Sequence, residues 1–123
     1  AGLLKIPFQE VYCAGKAAVT AIGECLRYEL ADENIYVTTL HPGNVATPIF
    51  EATGAVPDDA ISVQDAVKTI LEAVSRKENI VIFPEHVRLW IERLESDPES
   101  RETAMLQLAR ERRHNFKTKG RYF

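Results

Sequence analysis

Tyr12 and Lys16 stand four residues apart in the stretch Tyr-Cys-Ala-Gly-Lys. On a helix the two side chains are ~40° apart around the axis and ~6 Å apart along it, so both project from one face. A free tyrosine has a pKa of ~10 and is a poor base at neutral pH. An ammonium one turn away favours the phenolate, bringing the pKa towards the working range. Such a tyrosine can give a proton to a carbonyl oxygen during reduction, or take one from an alcohol during oxidation. The same spacing also suits an exposed tyrosine lying over a lysine stem. Cys13, beside Tyr12 and near a helix start, is placed where a thiol can be acidified, although packing is the commoner fate of such a cysteine. His41, His86 and His114 have no metal-ligand spacing among themselves or with Cys13 and Cys25, so no metal site is assigned.

The elements that must position these residues follow from the hydrophobic pattern. Residues 1–9 read as loop, punctuated by Gly2 and Pro7. The Ala-rich stretch Glu10 to Ala31 predicts a helix, with Ala14, Ala18, Ile22, Leu26 and Leu30 at four-residue spacing. Ile35 to Leu40 is β-branched and mostly apolar, which predicts a strand covered on both faces, ended by Pro42 and Gly43. Gly43 to Ile61 then reads as a long loop, of a length that suits binding better than mere connection. Ser62 and Asp65 resemble a capping box ahead of the stripe Ala66, Val67, Ile70, Leu71 and Val74. Asn79 to Phe83 predicts a second strand. His86 to Leu94 predicts a helix carrying Val87, Trp90, Ile91 and Leu94, and Asp97-Pro98 starts another with Met105, Leu106 and Ala109 on its apolar side.

The chain has 123 residues, 46% hydrophobic and 27% charged, with a net charge of −3. These values fit a globular domain or part of one and argue against disorder, a membrane span and a dedicated nucleic-acid binder. If Cys13 and Cys25 share one helix they lie ~18 Å apart, too far for a disulfide, which favours reduced thiols and a cytoplasmic setting. Charge is uneven: residues 110–123 hold six basic residues against Glu111, a local charge of +5, while residues 1–109 carry −8. This basic tail, 110–123, reads as a solvated and partly disordered terminus. Strands alternating with helices point to a parallel α/β arrangement. Two strands are too few to need covering on both faces, so the expected fold class is the C-terminal portion of a doubly wound parallel-sheet, Rossmann-like domain, with 1–123 forming part of one such domain.

Around the Tyr12–Lys16 pair the chain reads Tyr-Cys-Ala-Gly-Lys-Ala-Ala-Val. After the predicted helix and strand comes His41-Pro42-Gly43-Asn44-Val45-Ala46-Thr47-Pro48. From Ala1 to about Phe83 this resembles the C-terminal half of a short-chain dehydrogenase/reductase. That family carries Tyr-x-x-x-Lys at the head of a long helix, and a Pro-Gly followed shortly by Thr at the end of the next strand. Gly15 replaces the family's usual Ser before the Lys, a small-for-small change.

The resemblance implies an oxidoreductase that interconverts an alcohol and a carbonyl by hydride transfer with NAD or NADP, NADP being favoured. Tyr12 takes the role of catalytic acid/base. Lys16 binds the nicotinamide ribose and acidifies the phenol. Pro42, Gly43, Val45 and Thr47 match the segment around the nicotinamide, Val45 meeting the carboxamide through its backbone. The family's substrate-orienting serine, Gly-rich turn and ribose selector would lie upstream of Ala1, so this chain alone is expected to be inactive. Ile49, Phe50, Val56 and Ile61 suggest an apolar substrate, and a homodimer or homotetramer is expected. The alternative is a truncated, non-catalytic module that dimerises through its first helix, where Ala14, Ala17 and Ala21 allow close approach.

Overall fold

The computed structural model describes residues 1–54 and 56–122. One residue of the expected 43–61 loop, Ala55, and the last of the basic tail, Phe123, lie outside the described residues. The elements are α1 (Glu10–Glu29), β1 (Thr39–Pro42), α2 (Val63–Ser75), β2 (Ile80–Phe83), α3 (Glu85–Ser96) and α4 (Pro98–Lys119), with short 3-10 helices at Ala31–Glu33 and Pro48–Thr53. No helix among the described residues is long and apolar enough to cross a membrane. The chain divides into two compact units, one of residues Ala1–Ala18 and Leu89–Phe123, the other of Val19–Arg88.

The Val19–Arg88 unit holds a mixed α/β arrangement in which β1 and β2 pair in parallel, Thr39 opposite Ile80 and Pro42 opposite Phe83. The Thr39 N–H donates to the Asn79 carbonyl at 2.8 Å and the Gly43 N–H to the Phe83 carbonyl at 2.7 Å. Odd-numbered residues of β1 thus face β2, so the nitrogen of Pro42 lies on the other side and its missing N–H takes nothing from the ladder. The strand begins four residues later than the apolar run Ile35–Leu40 predicts. Ladder bonds start only where β2 supplies a partner, and Ile35 and Tyr36 remain exposed, Tyr36 lying beneath the Lys77 ammonium at 3.8 Å.

α2 forms the connection between the paired strands. Ser62 caps it, its hydroxyl oxygen accepting the Asp65 N–H at 3.0 Å. Ala66 and Ala73 are buried, and their small side chains let the helix lie close to β2. Of the expected stripe, Val67, Leu71 and Val74 are exposed instead. The covered side is the narrower line Ala66, Ile70 and Ala73. α1 also comes close to β1: a Cβ on Gly23 would lie 2.5 Å from the Thr39 hydroxyl.

In the other unit Leu4, Cys13, Ile91 and Leu94 are buried. The expected loose tail is instead helix. α4 continues through Lys119, and Gly120, at φ +69°, caps it with its N–H on the Phe116 carbonyl. Contacts distant in sequence hold this end: Arg112 Nη1 donates to the Pro7 carbonyl at 2.8 Å, and the Tyr122 ring stacks with Phe8 and with Phe116, each at 4.6 Å between centroids.

At the start of α4 the Asp97 carboxylate accepts the Ser100 hydroxyl at 2.7 Å and the Ser100 N–H at 3.0 Å. These bonds hold its carboxyl below the usual carboxylate range. A depressed folded-state pKa stabilises the fold fully above the unfolded value of ~3.9, and that contribution is lost as pH falls through the lower folded value. Acid titration followed by helical circular dichroism is therefore expected to show a loss below about pH 4. Asp97→Asn, which keeps the cap but not the charge, should flatten that component. An identical acid profile in the variant would exclude Asp97 as its source.

Candidate active site

Tyr12 and Lys16 lie in the first two turns of α1, and both are exposed. Lys16 Nζ sits 5.5 Å from the centroid of the Tyr12 ring, within cation–π range. Cys13, next to Tyr12 in sequence, fixes how this part of α1 is seated. Cys13 is only 3% exposed, its sulfur accepting the Ile6 N–H at 3.3 Å, and its own N–H donates to the Gln9 carbonyl at 2.8 Å. With the helix seated through Cys13, Tyr12 is turned outward and is 55% exposed. The thiol beside the tyrosine thus serves packing.

Two open grooves lie in this unit. One of about 430 Å³ runs between Lys5–Pro7 and the α1 line Glu10, Cys13, Ala14 and Ala17. The other, about 450 Å³, lies between α3 and α4 and is lined by Trp90, Arg93, Leu94 and Thr103 among others. Neither is lined by Tyr12 or Lys16. Of the apolar residues of α3, Ile91 and Leu94 belong to the core, while Trp90 remains partly exposed at the groove.

Pro42, Gly43, Val45 and Thr47 belong to the Val19–Arg88 unit. Pro42 ends β1. Gly43 follows in a crowded corner: an added Cβ would lie 2.8 Å from Val87 Cγ2 and 3.2 Å from Pro84 Cδ. The space saved by the missing side chain is filled by the protein itself, which explains a glycine here without reference to a ligand.

Val45 lies inside the segment expected to be loop, yet it forms a parallel bridge with Ile61. Ile61 donates to the Asn44 carbonyl at 3.0 Å and accepts from the Ala46 N–H at 2.9 Å. Because backbone groups alternate sides along an extended chain, the N–H and C=O of Val45 itself point away from Ile61. This register has no local sequence signal. Asn44 Nδ2 donates to Asp59 Oδ1 at 2.9 Å, a further tie across the same segment. The Thr47 carbonyl accepts the Phe50 N–H at 3.2 Å as the chain enters the Pro48–Thr53 helix.

His41, on β1, has a buried Nε2 with no hydrogen-bond partner among the described residues. Burial pushes its pKa below the ordinary histidine value. An imidazole held in this way is kept neutral and suits strand packing better than proton transfer.

The sequence model for short chain dehydrogenases matches residues 1–57. The chain is 32% identical over 93 residues to dehydrogenase/reductase SDR family member 7B of Rattus norvegicus, covering 67% of this chain and 29% of the relative. It is 35% identical over 93 residues to a dehydrogenase/reductase SDR family protein 7-like of Anopheles gambiae, again covering 67% and 29%. A tropinone reductase homolog of Datura stramonium is 30% identical over 67 residues, 54% of this chain and 25% of that protein. The chain thus spans less than a third of the length of these relatives. With the Tyr-x-x-x-Lys pair on one helix face and sequence similarity extending on both sides of it, this chain belongs to the short-chain dehydrogenase/reductase family.

Proposed function

We propose that this chain supplies the proton-transfer pair of an NAD(P)-dependent oxidoreductase that interconverts an alcohol and a carbonyl. The observation that carries the reading is the Lys16 ammonium 5.5 Å from the Tyr12 ring on an outward face of α1. The bound dinucleotide would supply or accept the hydride. Tyr12 would hold the proton at its phenolic oxygen, giving it to the carbonyl oxygen in reduction and taking it from the hydroxyl in oxidation. Lys16 would keep its positive charge beside the Tyr12 ring and hold the ribose hydroxyls through its three N–H donors.

The residues of the 42–47 segment fit the nicotinamide end of such a cofactor. Val45 directs one backbone donor and one acceptor away from Ile61, the complement that a carboxamide requires. Thr47 adds a hydroxyl, and Pro42 and Gly43 fix where the strand ends. β1 and β2 would be two strands of a larger doubly wound sheet, in keeping with β1 pairing along one edge only among the described residues.

The test is binding of NADH and NADPH to the protein carrying this chain, followed by nicotinamide fluorescence, with turnover scored on small ketones and aldehydes. Lys16→Met should weaken dinucleotide binding and slow turnover together. Undiminished binding and turnover in that variant would refute the assignment.

A second reading, dimerisation through α1 without catalysis, draws on the exposure of Val19, Ile22 and Leu26 along that helix. Dimerisation with no dinucleotide bound would favour it.

A further inference from the structure

The C-terminal half of α4 sorts its side chains by charge and exposure. Met105, Leu108, Arg112 and Asn115 are partly buried and follow one another at spacings of three and four along one side. Opposite them Arg110, Arg113 and Lys117 follow the same spacing, and all three are exposed. At ~1.5 Å per residue they form a cationic line ~10 Å long. The three are absent from the ion pairs Arg76–Glu78 and Arg88–Glu85 found among the described residues. Arg113 rests over the Phe8 ring at 5.9 Å, a contact that leaves its charge in place. Leu106, one turn before Arg110 on the same face, and Phe116, to one side of the line, stand half-exposed.

The opposite side of the helix is tied down by the Arg112–Pro7 hydrogen bond, and its end by the Phe8–Tyr122–Phe116 stack. The cations are therefore displayed on an ordered helix and not on a loose tail. They account for three of the six basic residues in a segment of charge +5, set against −8 in the rest of the chain.

We propose that this outward face of α4 docks on an anionic lipid surface. Arg110, Arg113 and Lys117 would lie over the headgroup phosphates and carboxylates, with the exposed Leu106 entering the headgroup boundary. A straight line of cations on a rigid helix matches a flat negative surface, where each basic residue strengthens binding about fivefold. An exposed apolar side chain on the same face as the cations suits that boundary. A nucleic acid is matched less well. The rings beside the line, Phe8 and Phe116, are already stacked on Tyr122 and so are less available to bases. The docking is peripheral and independent of the Tyr12–Lys16 chemistry.

The experiment is co-sedimentation of the full chain with phosphatidylcholine vesicles, and with vesicles containing equal parts of phosphatidylserine. Binding is expected only to the anionic vesicles and should fall as salt is raised. The triple variant Arg110→Gln, Arg113→Gln, Lys117→Gln should lower partitioning about a hundredfold with an unchanged circular dichroism spectrum, since all three side chains are exposed. Lys68→Gln, on α2, serves as the control for total charge and should change partitioning by no more than about fivefold. Equal binding to neutral vesicles, no binding to anionic ones, full binding by the triple variant, or a preference for a duplex oligonucleotide over the vesicles would each overturn the proposal.

Discussion

Under the proposed function, replacing Tyr12 by phenylalanine is expected to lower carbonyl reduction by the protein carrying this chain by about 10²- to 10⁴-fold, the usual contribution of a positioned proton donor. The change removes one oxygen and little else. Tyr12 is already 55% exposed, so the substitution should move folding stability by no more than about 0.5 kcal/mol. The ring that Lys16 lies over is retained, so the lysine keeps its cation–π contact and its place on the α1 face. Dinucleotide binding should therefore survive while turnover collapses, a loss in kcat with little change in the cofactor dissociation constant. Steady-state kinetics alongside fluorescence titration separate the two quantities. Turnover within tenfold of the parent would remove Tyr12 from the proton path, and simultaneous loss of cofactor binding would mark the change as structural.

Gly43→Ala is expected to destabilise the Val19–Arg88 unit by about 1–3 kcal/mol, the usual range for overpacking a filled site. The φ of Gly43 is not in the left-handed region, so the backbone itself would accept alanine. The cost comes from the new methyl group, which would meet Val87 Cγ2 at 2.8 Å and Pro84 Cδ at 3.2 Å. The proline ring cannot rotate away, and the branched valine has few rotamers to choose from. Val87→Ala removes the nearer obstacle, so Gly43→Ala should cost clearly less in that background than alone. A double-mutant cycle by urea denaturation measures the coupling. Additive effects would show that the two positions do not compete for space. Because the crowding lies within the protein, the loss should appear with no cofactor added.

The Tyr12–Lys16 face, the Ser62 cap and the Asp97-Pro98 helix start were all legible in the sequence. Each depends on geometry within one turn of chain: four residues on a helix fix a direction, and a cap needs only a side chain and the N–H three residues on. The order of helices and strands was legible too, because periodicity survives wherever one side of an element is covered. What could not be read was everything that needs a distant partner. β1 begins at Thr39 and not Ile35 because Asn79 first offers a carbonyl there. Val45 leaves the expected loop to bridge Ile61, and that bridge decides which way its backbone groups point. The basic segment after Ala109 looks solvated by composition, yet Pro7, Phe8 and Tyr122 hold it as helix, with Arg112 bonded across 105 residues of sequence. Local propensity is written in neighbouring side chains. The choice of partner for a backbone group or a ring is made only when remote segments close on one another, so it belongs to the tertiary structure.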